Sequence, residues 1–229
     1  MLEKPLFTII VHTYERLTFL KETVQAILRQ TYDNLEIIIL DDGAKSEVKE
    51  YLHEVESLDK RVKLLHFKEN QCSPDDPSKF MDVCFNAALK IAQGDYIFYQ
   101  EDDDVISDNY AEKMVALFQG NPECTTAAGK VVNFDIYGNS SEISPANLTN
   151  YRPRYMPGHL LAQQTLFVPG QIMFSAPGSY FTIRRDVYLK SGGFHRNIDI
   201  QQIYGIMPFG ITGYDETAVF HWRRHEDQL

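Results

Sequence analysis

Short apolar runs alternate with helix-like segments through the first half of the chain, and this alternation restricts the fold more than any other feature. The apolar runs are rich in β-branched and aliphatic residues, as in strands buried on both faces. They occupy residues 7–11, 35–40, 62–67 and 96–99. The helix-like segments occupy 17–30, 45–55, 79–92 and 109–118. Such repeats predict right-handed βαβ units around a mainly parallel sheet flanked by helices.

The pattern becomes irregular after residue 120. Residues 125–134 still indicate a strand, but 135–171 are rich in Pro, Asn, Gly and Tyr and predict a long loop. Strand-like runs return at 180–183 and 218–220. We therefore predict one α/β domain over 1–229, in which a regular half (1–120) and an irregular half (121–229) share one sheet.

Acidic residues directly follow two of the predicted strands. Asp41-Asp42 ends the second apolar run, and Glu101-Asp102-Asp103-Asp104 ends the fourth. Ligands of such sheets bind beyond the carboxyl ends of the strands, so both segments should face one crevice. Four adjacent carboxylates repel one another, and a divalent cation such as Mn²⁺ or Mg²⁺ offsets that repulsion. The sequence thus predicts a cation site, with a solvated acidic loop or helix-capping acids as the alternative.

Phosphate recognition would have to work without a glycine-rich loop. Neither Gly-x-x-x-x-Gly-Lys-Ser/Thr nor Gly-x-Gly-x-x-Gly occurs in the sequence. A nucleotide in the crevice would therefore rely on the cation and on nearby basic side chains. The chain has 22 Lys and Arg against 32 Asp and Glu, a net charge of −10. A field of that sign repels phosphate backbones and predicts no binding to nucleic acid.

Location is predicted from segments that the sequence lacks. No apolar run reaches the roughly 20 residues needed to span a bilayer, so we predict no transmembrane segment. A local basic cluster would still allow peripheral membrane contact. Three cysteines without metal-ligand spacing suit reduced thiols. We therefore predict a cytoplasmic protein, with the inner face of the membrane as a second expected location.

Four stretches of the first half carry a recognisable order of motifs. They are 9–16 (IIVHTYER), 27–32 (ILRQTY), 36–43 (EIIILDDG) and, after Asn86, 92–97 (AQGDYI). In this order they resemble the family 2 inverting glycosyltransferases, which have the GT-A fold. The resemblance covers essentially the whole chain. It implies a Rossmann-like, mixed but mainly parallel sheet flanked by helices, with a nucleotide-sugar-binding half over 1–120 and an irregular acceptor-binding half over 121–229.

The resemblance also assigns the residues of the nucleotide pocket. It places Tyr14 and Asp42 at the base, with His12 and Thr13 lining the same pocket. An arginine that usually precedes Asn86 in the family is absent, because Phe85 stands in its place. Arg16 or Lys79 would then supply the missing positive charge.

The acidic segment 100–104 (QEDDD) is aligned with the family's Leu-Asp-x-Asp-Asp. This alignment makes Asp103 the metal ligand, with Asp104 as the alternative. It places Glu101 near the ribose or a metal-bound water, and Asp102 with the nucleotide. Besides Phe85, three positions depart from the family pattern: His12 replaces Pro, Glu15 replaces Asn, and Glu101 replaces the first Asp.

The second half resembles the acceptor side of the family in 184–187 (RRDV) and 192–194 (GGF). The catalytic base then falls on Asp199, while Asp215 and Glu216 in 214–219 (YDETAV) resemble a later structural segment and are the alternative bases. The ending 221–226 (HWRRHE) resembles a segment whose histidine is a further metal ligand in several relatives. His221 is preferred because it directly follows the predicted last strand, and His225 is the alternative.

The implied reaction is a metal-dependent single displacement that inverts the anomeric carbon. Asp199 would deprotonate a hydroxyl of a saccharide, lipid-linked or other acceptor, and that oxygen would attack the sugar of a nucleoside-diphosphate donor, with a UDP type favoured. Polysaccharide or glycoconjugate synthesis is the expected role. A catalytically weakened nucleotide-sugar-binding relative is one alternative, suggested by Glu101 and Ile198. A sugar-1-phosphate nucleotidylyltransferase is another, disfavoured because its glycine-rich start is absent.

Overall fold

A computed structural model describes residues 4–72, 75–76, 79–142, 154–166, 181–195 and 201–226. The strands are β1 (Phe7–Thr13), β2 (Leu35–Asp42), β3 (Val62–Phe67), β4 (Tyr96–Glu101), β5 (Val105–Ile106), β6 (Cys124–Asp135), β7 (Ser140–Glu142), β8 (Tyr155–Pro157), β9 (Phe181–Arg184) and β10 (Ile211–Arg224). The helices are α1 (Leu17–Leu28), α2 (Ser46–Leu58), α3 (Asn86–Ile91), α4 (Tyr110–Gly120), α5 (Gly158–Leu166) and α6 (Arg185–Lys190). A π-helical turn, Met81–Phe85, leads into α3.

One mixed sheet carries strands from both halves of the chain, in the order β3-β2-β1-β4-β9-β6-β10-β5. β3, β2, β1 and β4 are parallel, β9 is antiparallel to both of its neighbours, and β10 is parallel to β6. The carboxyl ends of β1, β2, β4, β6 and β10 therefore lie along the same edge. The predicted mixed, mainly parallel α/β architecture is confirmed.

The sheet is buried on both faces, which explains why its inner strands are mostly apolar. Ile9 and Ile37 pack into a core shared with α1, α2 and α4, whereas Ile10 and Ile38 pack into a core shared with α3 and α6. Successive side chains of a strand point to opposite faces, so each inner strand supplies both cores.

The irregular half contains more regular structure than its composition predicts. β10 has 14 residues, against the three of the predicted last strand. A break in register between Asp215 and Val219 interrupts it, and the polar residues there hide the strand from a hydrophobicity pattern. β7, β8 and α5 all lie within the predicted loop at 135–171. β7 pairs with β6, and β8 pairs with β10, so these two strands form through contacts with their partner strands and not through a local sequence pattern.

Within the described part of the chain, every helix is too short or too polar to cross a bilayer.

Candidate functional site

The acidic segment after β4 lies at the carboxyl edge of the sheet and accepts hydrogen bonds from two threonines. The Thr13 hydroxyl donates to Asp102 Oδ2 at 2.6 Å. The Thr23 hydroxyl on α1 lies 2.8 Å from the carbonyl oxygens of both Asp102 and Asp104. Asp102, Asp103 and Asp104 are all buried, so this segment is packed against the protein interior and is not a solvated loop.

Burial changes the acidity of this segment. It raises the pKa of Asp102 to about 6, although the positive charge of Arg16 opposes the shift. It raises the pKa of the fully buried Asp104 well above the usual range, and the charge of Asp103 adds to that effect. The segment therefore carries less negative charge than its four carboxyl groups suggest.

Arg16, at the end of the loop after β1, contacts two of these acids. Its Nη2 lies 2.6 Å from Asp102 Oδ1, and its Nη1 donates to Asp103 Oδ2 at 2.7 Å. Lys79, the other cation considered, is not in a described ion pair with the segment. Phe85 is fully buried and packs against Tyr99 at 4.8 Å between ring centroids. Phe85, at the position of the family's arginine, thus belongs to the core, and of Arg16 and Lys79 it is Arg16 that contacts the acids.

His12 connects the ends of β2 and β4. Its Nε2 lies 3.1 Å from Asp42 Oδ2, and its Nδ1 lies 3.2 Å from Glu101 Oε2. Burial lowers the pKa of His12, but the hydrogen bonds to the two carboxylates outweigh it and raise the pKa to about 9. The two acidic segments that sequence places at strand ends are therefore joined by one imidazole ring.

Asp42 is fully buried, and its two carboxylate oxygens are occupied by protein donors. Oδ1 accepts the Gln71 backbone N–H at 3.0 Å and the Cys84 thiol at 3.5 Å, while Oδ2 faces His12. Asp42 therefore fixes the position of the His12 ring and of the backbone at Gln71. Tyr14, by contrast, is 38% exposed and presents its ring on the surface next to this edge.

The last strand brings a histidine to Asp103. His225 Nε2 donates to Asp103 Oδ2 at 2.9 Å, and both side chains are only 4% exposed. His221 lies four residues earlier, where its backbone pairs with Val105 and its ring faces Phe134 at 6.1 Å between centroids. Of the two predicted histidines, the structure brings the alternative, His225, to the acidic segment.

Arg223 is the main residue that the sequence reading overlooked. Its backbone N–H donates to Asp104 Oδ1 at 3.0 Å and its Nε to the Asp103 carbonyl at 2.7 Å. Its guanidinium lies between the rings of Phe19 and Phe134 and forms an ion pair with Glu22. The sequence did carry a signal for Arg223: it lies two residues before His225, and residues two apart in a strand share a face.

Among the residues that the structure describes, we consider two side-chain groups as candidates for holding a cation. Asp103 and His225 offer a carboxylate oxygen and an imidazole nitrogen that already touch, which suits Mn²⁺ or Mg²⁺ completed by water and phosphate. His12, Asp42 and Cys84 also lie within 4.8 Å of one another. A cation at either group would replace existing hydrogen bonds, but at His12 it would separate the ring from two carboxylates, whereas at His225 it would separate it from one.

The predicted base, Asp199, lies outside the described residues, and the described residues on either side of it contact one another. Gln201 Nε2 donates to the Gly193 carbonyl, and Gln201 Oε1 accepts the His195 backbone N–H at 3.1 Å. The Asn86 side chain forms two hydrogen bonds with the backbone of Phe194, at 2.7 and 2.8 Å. The Asn86 contacts hold the turn at 192–194 against α3.

The alternative bases, Asp215 and Glu216, lie elsewhere. In the pairing of β10 with β6, Asp215 lies opposite Gly129. Gly129 is six residues, or roughly 20 Å along the strand, from the end of β6 at Asp135. Its Oδ1 accepts the backbone N–H and the hydroxyl of Thr217. The structure does not bring these two acids to the edge that carries Asp103.

Comparison with known proteins establishes the family of this chain. The sequence profile of the glycosyl transferase family 2 matches residues 8–191. The chain belongs to glycosyl transferase family 2. An uncharacterized glycosyltransferase of Haemophilus influenzae is 32% identical over 139 residues, which cover 61% of this chain and 52% of the relative. The chain spans between about a third and about half of the length of the first curated relatives that it matches.

Solved structures show the same fold. TarS from S. aureus in complex with UDP-GlcNAc has a TM-score of 0.73 and 13% identity, covering 97% of this chain and 60% of TarS. A mannosyltransferase from Pyrobaculum calidifontis in complex with GDP-Man and Mn²⁺ has a TM-score of 0.63 and 13% identity, covering 99% of this chain and 59% of that one. At this level of identity the likeness establishes the GT-A fold of the family 2 chain and nothing finer.

Proposed function

We propose that this chain is the catalytic part of a glycosyltransferase that moves a sugar from a nucleoside-diphosphate sugar to an acceptor hydroxyl. The observation that carries the proposal is the buried contact between Asp103 and His225 at the carboxyl edge of the sheet, beside Arg16. Ligands of open α/β sheets bind at this edge. A carboxylate, an imidazole and a guanidinium together suit a diphosphate and the cation that accompanies it.

The residues of the site divide between the parts of the donor. We assign Tyr14, Thr13 and the buried pair of His12 and Asp42 to the nucleoside side, and Glu101 to the ribose side. Asp103 and His225 would hold the divalent cation, and Arg16 together with Asp102 would lie at the diphosphate. When bound, such a cation stabilises negative charge on the departing diphosphate. UDP is favoured as the nucleotide, because TarS, which shares the fold, was solved with UDP-GlcNAc.

The chemistry assigned to the chain itself is a proton transfer. We propose that Asp199 accepts the proton of the acceptor hydroxyl, and that the oxygen attacks the anomeric carbon opposite the diphosphate, which inverts the configuration. We also propose that residues 1–120 bind the donor and 121–229 the acceptor. The hydrogen bonds between Asn86 and the backbone of Phe194 support this arrangement, because they hold the turn at 192–194 against α3 of residues 1–120.

Nucleotide-sugar binding and hydrolysis test the proposal. Thermal-shift screening of UDP- and GDP-sugars with MnCl₂ should raise the melting temperature for one nucleotide class, because a ligand that binds only the folded state stabilises it. The same samples should release the diphosphate slowly, and Asp199→Asn should abolish transfer while it leaves donor binding intact. Donor binding without turnover by the native chain would support a catalytically weakened relative instead. No shift with any nucleotide sugar would overturn the proposal.

A further inference from the structure

Two positions that depart from the family motifs contact each other in the folded protein. His12 stands where the family has Pro, and Glu101 stands where it has Asp. The register of β1 and β4 pairs these two residues directly, and their side chains meet at 3.2 Å. Because Glu is one methylene longer than Asp, an aspartate at 101 would end about 1.5 Å short of this position. The two departures therefore complement each other in one interaction.

The ring of His12 is held in a single orientation. Nε2 is fixed by Asp42, whose other oxygen is anchored by the backbone of Gln71. The flat face of the ring stacks on Phe80, with 4.4 Å between the centroids. A side chain fixed at both nitrogens and on one face is a rigid support for whatever it contacts.

Glu101 depends on that support. Its Oε2 is bonded to His12, whereas its Oε1 is buried and has no hydrogen-bond partner among the residues that the structure describes. Ionised carboxylates only accept hydrogen bonds, so two of them around one imidazole require both ring nitrogens to donate. The ring then carries a positive charge, and the group of Asp42, His12 and Glu101 has a net charge of −1 where two bare carboxylates would have −2.

We propose that His12 is a positioning residue for the donor: it fixes the Glu101 carboxylate at the end of β4 and compensates negative charge where a nucleoside diphosphate binds. This inference rests on the proposed function. Loss of His12 frees Glu101 and adds one net negative charge, and both changes weaken the binding of a dianionic or trianionic ligand. Shortening Glu101 breaks the same contact from the other side. The two residues should therefore act as one unit.

A double-mutant cycle tests this directly. The affinity of UDP or GDP, whichever binds the native protein more tightly, is measured by calorimetry with MnCl₂ for His12→Gln, Glu101→Asp and the double variant. We expect each single change to weaken binding about tenfold and the double variant to lose little more than either one, since interacting residues are not additive. Losses that multiply to about a hundredfold would overturn the inference.

The pair of His66 on β3 and Asp41 on β2 is a matched control. His66 Nδ1 donates to Asp41 Oδ2 at 2.7 Å at the same edge of the sheet. This pair has the same chemistry as His12 and Asp42, but His66 does not contact Glu101. His66→Gln should therefore leave the affinity unchanged, and a loss equal to that of His12→Gln would contradict a specific role for His12. Melting temperatures identify any variant that loses affinity because it unfolds.

A measurement without nucleotide separates this inference from the proposed function. In NMR spectra of the native protein, the ring of His12 should remain charged at neutral pH, and Glu101→Gln or Asp42→Asn should each make it titrate at lower pH. A His12 ring that is neutral at pH 7 would overturn the inference even if UDP binds. A native protein that binds neither diphosphate would overturn the proposed function together with the donor role of His12, whereas additive losses would overturn the role of His12 alone.

Discussion

His225 Nε2 lies 2.9 Å from Asp103 Oδ2, so the last strand of the sheet completes the site that the fourth strand begins. Asp103 belongs to the first half of the chain (1–120), and His225 follows it by 122 residues. β10 makes this contact possible because it runs parallel to β6 as far as Arg224 and ends at the edge that carries the acids. The pair couples folding of the second half to assembly of the proposed cation site.

A comparison of two histidine variants tests this pair. We expect His225→Ala to weaken Mn²⁺ binding by at least tenfold, because an imidazole next to Asp103 is removed, and His221→Ala to have a much smaller effect. Mn²⁺ affinity is measured by electron paramagnetic resonance with and without UDP. A larger loss in His221→Ala would restore the choice that the sequence favoured.

The choice between the two histidines shows where sequence reasoning stopped. The apolar pattern ends the last strand at Phe220, which makes His221 the histidine that directly follows it. In the structure the strand continues to Arg224, so the histidine that directly follows it is His225. Side-chain parity does not distinguish the two histidines, since they are four residues apart and share a face.

The first half was easier to predict because its signals are local. β1 and β2 are buried throughout and mostly apolar, since both faces of the sheet are covered, and each ends at polar residues on the edge of the sheet. The bridge from Asp42 through His12 to Glu101 could not be predicted in this way. It depends on the register between three strands, which no single run of sequence contains.

Arg223 should be important for stability as well as for the site. In Arg223→Lys the positive charge remains, but the bond from Nε to the Asp103 carbonyl and the flat stacking between Phe19 and Phe134 are lost. We expect the free energy of unfolding to fall by about 1 to 3 kcal/mol, because the buried carbonyl of Asp103 loses its hydrogen-bond donor. Urea titration measures this change. Its neighbour Arg224 is exposed, so Arg224→Lys should change the free energy by less than about 0.5 kcal/mol. Equal effects of the two changes would contradict the role given to Arg223.

Stability should decrease in mildly alkaline solution because of His12. Its pKa is about 9 in the folded protein and near the ordinary 6.5 when unfolded. The charged ring therefore stabilises the fold fully below pH 6.5, and this contribution is lost as the pH rises through 9. Burial raises the pKa of the Cys84 thiol beyond this window. Urea unfolding at pH 6.5, 8 and 9.5 should show the decline, and His12→Gln should flatten it. An equally steep decline in the variant would assign the effect to another group.

Arg16 should affect the cation and the diphosphate in opposite directions. Its guanidinium lies 2.7 Å from Asp103 Oδ2, the same oxygen that His225 contacts, so it competes electrostatically with any cation at Asp103. A unit charge about 4 Å away is worth roughly 4 kcal/mol in a protein environment of intermediate dielectric constant, and solvent screening reduces this at a partly exposed site. We therefore expect Arg16→Gln to bind Mn²⁺ alone several-fold more tightly and UDP with Mn²⁺ about tenfold more weakly, as measured by calorimetry. Arg16→Lys keeps the charge and should restore most of both affinities. If both affinities moved in the same direction, Arg16 would act on the shape of the acidic segment and not as a competing charge.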